Sequence, residues 1–224
     1  MSSATVLATL ATHRLVPVVV ADGADQGARL ADALVEGGLP VAEITLRLAG
    51  GVDAIRAIAG NRPEVVVGAG TVTTTRQVDD VVAAGARYIV SPGLSAAVVR
   101  RAQEHGIPVL PGVATPSEIM AALDLGIDVV KLFPASVVGG PAAIKAFAGP
   151  FPGLRFVPTG GVSAADLADY LTLKPVLAVG GSWMVDRALV TAGDWAEITR
   201  RTRDAVALAA QIDAPAAATE EKNR

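Results

Sequence analysis

One lysine lies in a run of residues that is otherwise typical of a buried strand. Lys131 falls within residues 127–135, where almost all neighbours are apolar, whereas Lys145, Lys174 and Lys222 fall in segments expected to be solvated. Burying an ammonium group without a partner is costly, so such an amine tends to become neutral. A neutral amine is the nucleophile that forms a Schiff base with a ketone. The alternatives are a side chain that reaches solvent from a strand end or one that pairs with a carboxylate.

A second strand candidate places three polar side chains on one face. In residues 41–47, alternation puts Glu43, Thr45 and Arg47 on the same side of the strand, opposite two apolar residues. If this face and the face of Lys131 both point inward, a carboxylate, a guanidinium and an amine converge in one cavity of low polarity. The alternative is a buried ion pair of Glu43 with Lys131 or Arg47 that has no chemical role.

Two glycine-rich turns follow the last two strand candidates, at residues 158–163 and 179–182. Glycine lets a backbone approach an anion closely, and barrels commonly bind phosphate after their seventh and eighth strands. The alternative is ordinary strand-to-helix turn chemistry. Neither turn has the spacing of a dinucleotide or P-loop motif, and residues 68–71 lack the remaining glycine of such a motif.

Short apolar runs alternate with amphipathic stretches along most of the chain. Eight strands alternating with helices predict a (β/α)8 barrel preceded by an N-terminal helix, as a single domain of residues 1–212. A doubly wound open sheet is the alternative, because alternation does not show closure. The strand candidates are residues 15–20, 41–46, 65–68, 88–91, 108–111, 129–133, 155–158 and 176–179; the helix candidates are residues 6–12, 26–36, 52–59, 75–84, 96–105, 117–125, 141–147, 164–171 and 194–212.

The polar residues of the strand candidates cluster near their carboxyl ends. In a parallel barrel all of these ends lie on one face, where active sites form. The pattern therefore predicts an active site on that face. The residues concerned are Glu43, Thr45, Arg47, Thr71, Ser91, Thr115, Lys131, Thr159 and Ser182.

Composition excludes several classes of protein. The chain has 224 residues, 51% of them hydrophobic and only 4% aromatic, which suits a large core of small aliphatic side chains. A net charge of -3 argues against a nucleic-acid surface, and the lack of cysteine with only two histidines argues against a zinc site. No signal peptide or membrane-spanning run is found, so we expect a cytoplasmic protein that binds no membrane. Residues 213–224 are expected to form a disordered tail.

The chain resembles the 2-keto-3-deoxy-6-phosphogluconate (KDPG) aldolase family, which includes 4-hydroxy-2-oxoglutarate (KHG) aldolase activity. The resemblance extends from Leu15 to the end of the last helix. One departure is Leu48, where the family usually has a threonine; this affects the rim near the substrate carboxylate. The matching stretches are residues 43–47, 67–72, 91–94, 111–115, 131–135, 158–162 and 180–183.

The resemblance implies a class I aldolase that cleaves KDPG to pyruvate and glyceraldehyde 3-phosphate, and also KHG to pyruvate and glyoxylate. Lys131 is then the Schiff-base nucleophile, Glu43 the base, and Arg47 the ligand of the substrate carboxylate, with Thr71 adding a hydrogen bond. No metal or cofactor is required, because the imine replaces a Lewis acid, and the family is typically trimeric. The other expected substrate contacts are the pocket walls Pro92 and Phe133, the hydroxyl ligand Thr159, and the phosphate cradle of Gly160, Gly161, Gly181 and Ser182.

Three alternatives keep the same site and change its use. The first is cleavage of another substrate in place of KDPG, either the phosphogalactonate epimer or the unphosphorylated KHG, although a threonine at position 159 favours gluconate by family resemblance. The second is a phosphosugar isomerase or epimerase in which Glu43 abstracts a proton and Lys131 is only an electrostatic partner. The third is a phosphosugar-binding or scaffold protein, which would bind without turnover. Reduction with borohydride in the presence of pyruvate separates the Schiff-base enzyme from the others.

Overall fold

A computed structural model describes residues 1–212 of the chain, so the tail expected at residues 213–224 lies outside the described residues. Strand segments and helices alternate, as predicted. The strands are β1 Leu15–Val19, β2 Val41–Thr45, β3 Val66–Gly70, β4 Tyr88–Val90, β5 Val109–Leu110, β6 Gly112–Val113, β7 Val129–Leu132, β8 Arg155–Phe156 and β9 Val179–Gly181. The helices are α1 Ser3–His13, α2 Gly23–Glu36, α3 Gly51–Asn61, α4 Thr75–Ala83, α5 Ala96–Glu104, α6 Pro116–Asp124, α7 Gly140–Ala148, α8 Leu167–Leu171, α9 Arg187–Ala192 and α10 Trp195–Gln211.

The strands close into an eight-stranded parallel barrel. Six segments pair in the order β5-β4-β3-β2-β1-β9 and three in the order β6-β7-β8. The two groups are joined at Pro111, which has no N–H to donate and separates β5 from β6 within one barrel strand. On the other side, isolated parallel bridges join Phe156 to Val176 and Thr159 to Gly180. The predicted (β/α)8 fold is confirmed, and the open sheet is excluded.

The core fits the composition of the chain. Aliphatic side chains fill the space between the barrel and its helices, and β2, β3 and β7 are buried at every position. Strands covered on both faces are expected to be continuously apolar, and here they are, except at Glu43, Thr45 and Lys131. Those three polar exceptions therefore mark where the barrel departs from simple packing.

Local sequence signals account for several of the helix ends. Capping boxes at Thr74 and Thr115 begin α4 and α6, where each threonine accepts from a backbone N–H three residues later. Several glycines that follow helices have positive φ, including Gly85 and Gly126, as a left-handed cap requires. In the pair Gly37-Gly38 after α2, Gly38 takes the left-handed position, whereas Gly37 has a φ of -75°.

Besides the predicted strand at residues 108–111, which is split into β5 and β6, three elements differ clearly from the prediction. Helix α9 was not predicted, because its six residues are too short for helical periodicity to show. Helix α8 begins at Leu167 rather than at residue 164, since Asp166 accepts hydrogen bonds from the backbone and hydroxyl of Ser163 in a turn. The last strand lies at Val179–Gly181 rather than at residues 176–179, where Val176 makes only an isolated bridge. Within residues 1–212, no helix is both long enough and apolar enough to span a membrane.

Candidate active site

Lys131 and Glu43 form an ion pair inside the barrel. Lys131 lies on β7 and Glu43 on β2, which are on opposite sides of the closed ring. Their side chains meet across it, with Lys131 Nζ 3.2 Å from Glu43 Oε1. The two residues are only 6% and 2% exposed. The inward orientation predicted for both faces is therefore what the structure has, and Glu43 pairs with Lys131 rather than with Arg47.

The surroundings of the pair are largely apolar. Lys131 Nζ also lies 5.0 Å from the centre of the Phe133 ring, which faces the same side of the strand. Tyr88 is fully buried nearby and donates a hydrogen bond of 2.9 Å to the carbonyl of Ala42. Burial raises the pKa of the Tyr88 hydroxyl well above its ordinary value, and the negative charge of Glu43 raises it further. Charges in such surroundings interact more strongly than they would in water.

A cavity of about 410 Å³ opens onto Lys131. Most of the residues predicted to bind substrate line it, together with Leu48, the position that departs from the family pattern. It is rimmed by cations, since Arg47 and Arg187 both contribute to its wall, against one lining carboxylate, Asp186. The predicted site residues on the wall are Arg47, Lys131, Phe133, Thr159, Gly160, Gly161, Gly181 and Ser182.

The backbone conformation and close packing of the two late turns explain why glycine occupies positions 160, 161 and 181. Gly160 and Gly161 have φ values of 96° and 74°, a backbone conformation that other residues rarely adopt. A Cβ at Gly161 would overlap the Ser136 hydroxyl, and one at Gly181 would overlap the Trp183 ring. Tight packing therefore favours glycine at positions 161 and 181, and both residues also line the cavity. An ordinary role in the turn and a role in ligand binding are compatible at these positions.

Thr159 lies in the first of the two turns and is held next to the second. It is buried, its backbone N–H donates to Leu132 O, and it bridges to Gly180. A Cβ at Gly180 would overlap the Thr159 hydroxyl, so glycine there leaves room for this side chain. The hydroxyl makes one long hydrogen bond of 3.4 Å to Val157 O and remains at the cavity wall.

Two predicted contacts do not line the cavity. Thr71 follows β3 directly and has a φ of 61°, which is rare for a branched residue and marks local strain. Pro92 follows β4 and is exposed, with its carbonyl packed against Gly112. Both follow strands at the carboxyl-end face of the barrel, as predicted for Thr71, but the cavity wall is formed by other residues. Thr45, on the same face as Glu43, is instead satisfied by Val19 O at 2.9 Å.

Sequence reasoning missed a group of residues at the start of α9. Asp186 caps this helix by accepting a hydrogen bond from Ala188 N at 2.8 Å, and Arg187 is its first residue. Both line the cavity beside Ser182. An aspartate a few residues after a glycine turn is a helix-start signal, and it would have placed the following arginine at the carboxyl-end face of the barrel.

The arrangement suits chemistry on a ketone that carries negative charges. A buried amine with a carboxylate beside it can form an imine and exchange protons, while the arginines and glycine turns favour anionic groups on the same molecule. Among residues 1–212, no three His, Cys, Asp or Glu side chains gather in a metal-binding arrangement.

Comparison with known proteins gives consistent matches. Residues 6–201 match the family described as KDPG and KHG aldolase. A 2-dehydro-3-deoxy-phosphogluconate aldolase of Pseudomonas aeruginosa is 49% identical over 193 residues, which make up 86% of this chain and 88% of that protein. A KHG/KDPG aldolase of Escherichia coli K12 is 48% identical over 197 residues, covering 88% of this chain and 92% of that protein.

A solved structure is similar in fold and carries a ligand of interest. The crystal structure of a KDPG aldolase from Legionella pneumophila, with pyruvate captured as a covalent carbinolamine intermediate, has a TM-score of 0.86 to this chain at 38% identity. The match covers 89% of this chain and 97% of that one. The carbinolamine in that protein is the adduct that an amine forms with a ketone before water is lost.

Proposed function

Because the chain belongs to the KDPG and KHG aldolase family, we propose that it is a class I aldolase, a lyase that cleaves 2-keto-3-deoxy-6-phosphogluconate into pyruvate and glyceraldehyde 3-phosphate. The observation that carries the proposal is the buried amine of Lys131, which faces a cavity and has the carboxylate of Glu43 at 3.2 Å. Buried ion pairs are weak stabilisers, so this pair is better explained by chemistry than by folding.

The reaction begins with attack of the Lys131 amine on the C2 ketone. The amine must be neutral, and Glu43 is positioned to accept its proton directly because the two groups are hydrogen-bonded. Attack gives a carbinolamine, and loss of its hydroxyl as water gives a protonated imine that joins C2 to Lys131. Glu43, as the acid formed in the first step, can return a proton to the departing hydroxyl.

Carbon–carbon cleavage follows from the imine. Glu43, as a carboxylate, removes the C4 hydroxyl proton directly or through a water molecule, and the C3–C4 bond breaks to leave an aldehyde at C4. The electron pair of that bond moves into the imine and gives a pyruvate enamine. Glu43, which now carries the C4 hydroxyl proton, returns a proton to C3 of this enamine, and water then hydrolyses the imine to release pyruvate and restore Lys131.

Two ends of the cavity suit the two anionic ends of the substrate. Arg47 lies on the wall after β2 and can hold the carboxylate in bidentate fashion. Thr71 follows β3 and does not line this wall, so the hydrogen bond expected from it requires its side chain to move when substrate binds. Gly160, Gly161, Gly181 and Ser182 offer backbone and hydroxyl groups to the phosphate. Arg187 adds a cation beside this second group, a contact that sequence reasoning had not included.

A second substrate, 4-hydroxy-2-oxoglutarate, follows from the same geometry. The imine chemistry and the carboxylate contact depend on Lys131, Glu43 and Arg47 and not on the phosphate turns. The Escherichia coli relative is named for both activities. For the phosphorylated substrate we propose the gluconate rather than the galactonate epimer, because Thr159 is the residue that the family pattern associates with gluconate.

We also propose a homotrimer in the cytoplasm. Met120, Leu123 and Val137 are large apolar side chains that lie exposed, and association of copies would bury such surface. A phosphorylated sugar acid carries several charges and does not cross a hydrocarbon layer unaided, so its enzyme is expected where it is made. Light scattering coupled to gel filtration measures the oligomer directly.

Borohydride trapping tests the function. With pyruvate and borohydride, the protein should gain a single reduced adduct, and peptide mass mapping should locate it on Lys131. Lys131→Arg, which keeps a positive charge but cannot form the imine, should gain none and should not turn over KDPG. An adduct on Lys145 or Lys174 would move the nucleophile elsewhere, whereas turnover of a phosphosugar without any adduct would favour the isomerase or epimerase alternative.

A further inference from the structure

Two glycines of β3 point into the barrel beside the ion pair. Gly68 and Gly70 are two residues apart on the strand, so both face the same side. Both belong to the run 68–71, which lacks a nucleotide-binding pattern, and neither glycine has a role in the proposed mechanism. Gly68 pairs in register with Glu43, and Gly70 with Thr45.

The two glycines leave space for different neighbours. A Cβ at Gly68 would overlap the ring of Tyr88, which is rigid and fully buried. The three nearest atoms to a Cβ at Gly70 all belong to Glu43: it would overlap Oε1 and lie 2.8 Å from Cγ and 2.9 Å from Cδ. Gly70 is not among the glycines with positive φ, so its backbone conformation does not require glycine.

We propose that Gly70 is a positioning residue for the reaction: its missing side chain reserves the space in which the Glu43 carboxylate reaches Lys131. The inference rests on the proposed function. A methyl group at position 70 displaces the carboxylate, because a flexible side chain yields more easily than a strand backbone. Since the Lys131–Glu43 contact is already 3.2 Å, a displacement of several tenths of an ångström removes the hydrogen bond.

Gly70→Ala therefore tests the role with little disturbance to the fold. We expect kcat for KDPG to fall roughly 10²-fold, toward the range that acid–base catalysis contributes, with KM little changed because Arg47 and the phosphate turns are untouched. The rate of borohydride-trappable adduct formation should fall as well. Gly60→Ala is the matched control, since a Cβ there meets nothing within 4 Å. Gly68→Ala should instead lower the thermal midpoint, because the Tyr88 ring cannot move aside.

A double-mutant cycle separates positioning from a general structural effect. In Glu43→Ala the three atoms that a Cβ at position 70 would meet are absent, so Gly70→Ala/Glu43→Ala should match Glu43→Ala within about twofold in kcat. If the losses in kcat of the two single variants multiplied in the double variant, the proposal would be overturned. A Gly70→Ala enzyme with wild-type kcat would overturn it as well.

A crystal structure of Gly70→Ala gives a readout that does not depend on turnover. The distance from Lys131 Nζ to the nearer Glu43 oxygen should exceed 3.5 Å, and an unchanged pair would refute the idea. Assays of the wild-type enzyme distinguish a failure of the proposed function from a failure of the proposed role of Gly70. A wild type with no aldolase turnover and no pyruvate adduct would refute the proposed function. An active wild type with an equally active Gly70→Ala would refute the role of Gly70 alone.

Discussion

Replacing Lys131 with methionine removes the amine and leaves the Glu43 carboxylate buried without its partner. At the observed 3.2 Å separation and an effective dielectric constant of about 20, the attraction between the two charges is about 5 kcal/mol. Removing one member of a buried pair usually costs about 3–5 kcal/mol. We therefore expect Lys131→Met to lower the free energy of unfolding by about 3–5 kcal/mol and to abolish turnover.

The second half of this prediction is that stability returns when the carboxylate is removed too. Lys131→Met/Glu43→Met replaces both charged side chains with unbranched apolar ones of similar length, and such replacements are often neutral or stabilising. Urea unfolding of wild type, both single variants and the double variant measures the cycle, and turnover of KDPG is assayed in parallel. The double variant should regain most of the stability and remain inactive, because it still lacks the nucleophile.

Several results would contradict this reasoning. A Lys131→Met protein as stable as wild type would mean that solvent or another group neutralises Glu43, contrary to its burial. A double variant no more stable than the single one would assign the loss to packing around the methionine. Any residual imine-dependent cleavage by Lys131→Met would place the nucleophile on another residue.

Three further predictions concern single groups. Glu43→Gln keeps the size of the side chain but cannot accept a proton, so kcat for KDPG should fall roughly 10²–10⁴-fold in steady-state assays; near-normal turnover would make Glu43 merely a structural partner. Arg187→Gln should raise KM for KDPG roughly tenfold, the effect of one lost charge-assisted contact, and more than it does for KHG. The exposed Arg100→Gln is the matched control, and equal losses on both substrates would exclude a phosphate contact. Hydrogen bonds, first from Ala114 N and then from Thr115, hold the pKa of Glu118 below its ordinary 4.5. The carboxylate therefore stabilises the fold above pH 4.5, and this contribution is lost as the pH falls through the lower pKa of the folded state. Urea unfolding across pH should show that Glu118→Gln costs about 0.5–1 kcal/mol at pH 7 and nothing in strong acid.

Local patterns in the sequence determined the order of the elements and the face on which chemistry occurs. Periodicity and caps are properties of a few neighbouring residues, so strands such as β2 and helices such as α6 could be located without knowing the rest of the chain. Lys131 could be recognised because an isolated lysine conflicts with its apolar surroundings. Prediction failed where the local pattern is weak. It missed the short helix α9, and it placed the last strand too early, at Val176, which makes only an isolated bridge.

The tertiary structure alone decided which of these residues meet. Lys131 and Glu43 are 88 positions apart and touch only because the strands that carry them face each other across a closed ring. Whether Arg187 reaches the cavity, and why Thr71 and Pro92 do not line it, depends on loop paths that no local pattern encodes. No local pattern identifies Gly70 either, because its proposed role depends on the space that its missing Cβ leaves for the Glu43 carboxylate. A sequence records side chains in order, whereas the space that one residue leaves for another exists only after the barrel has closed.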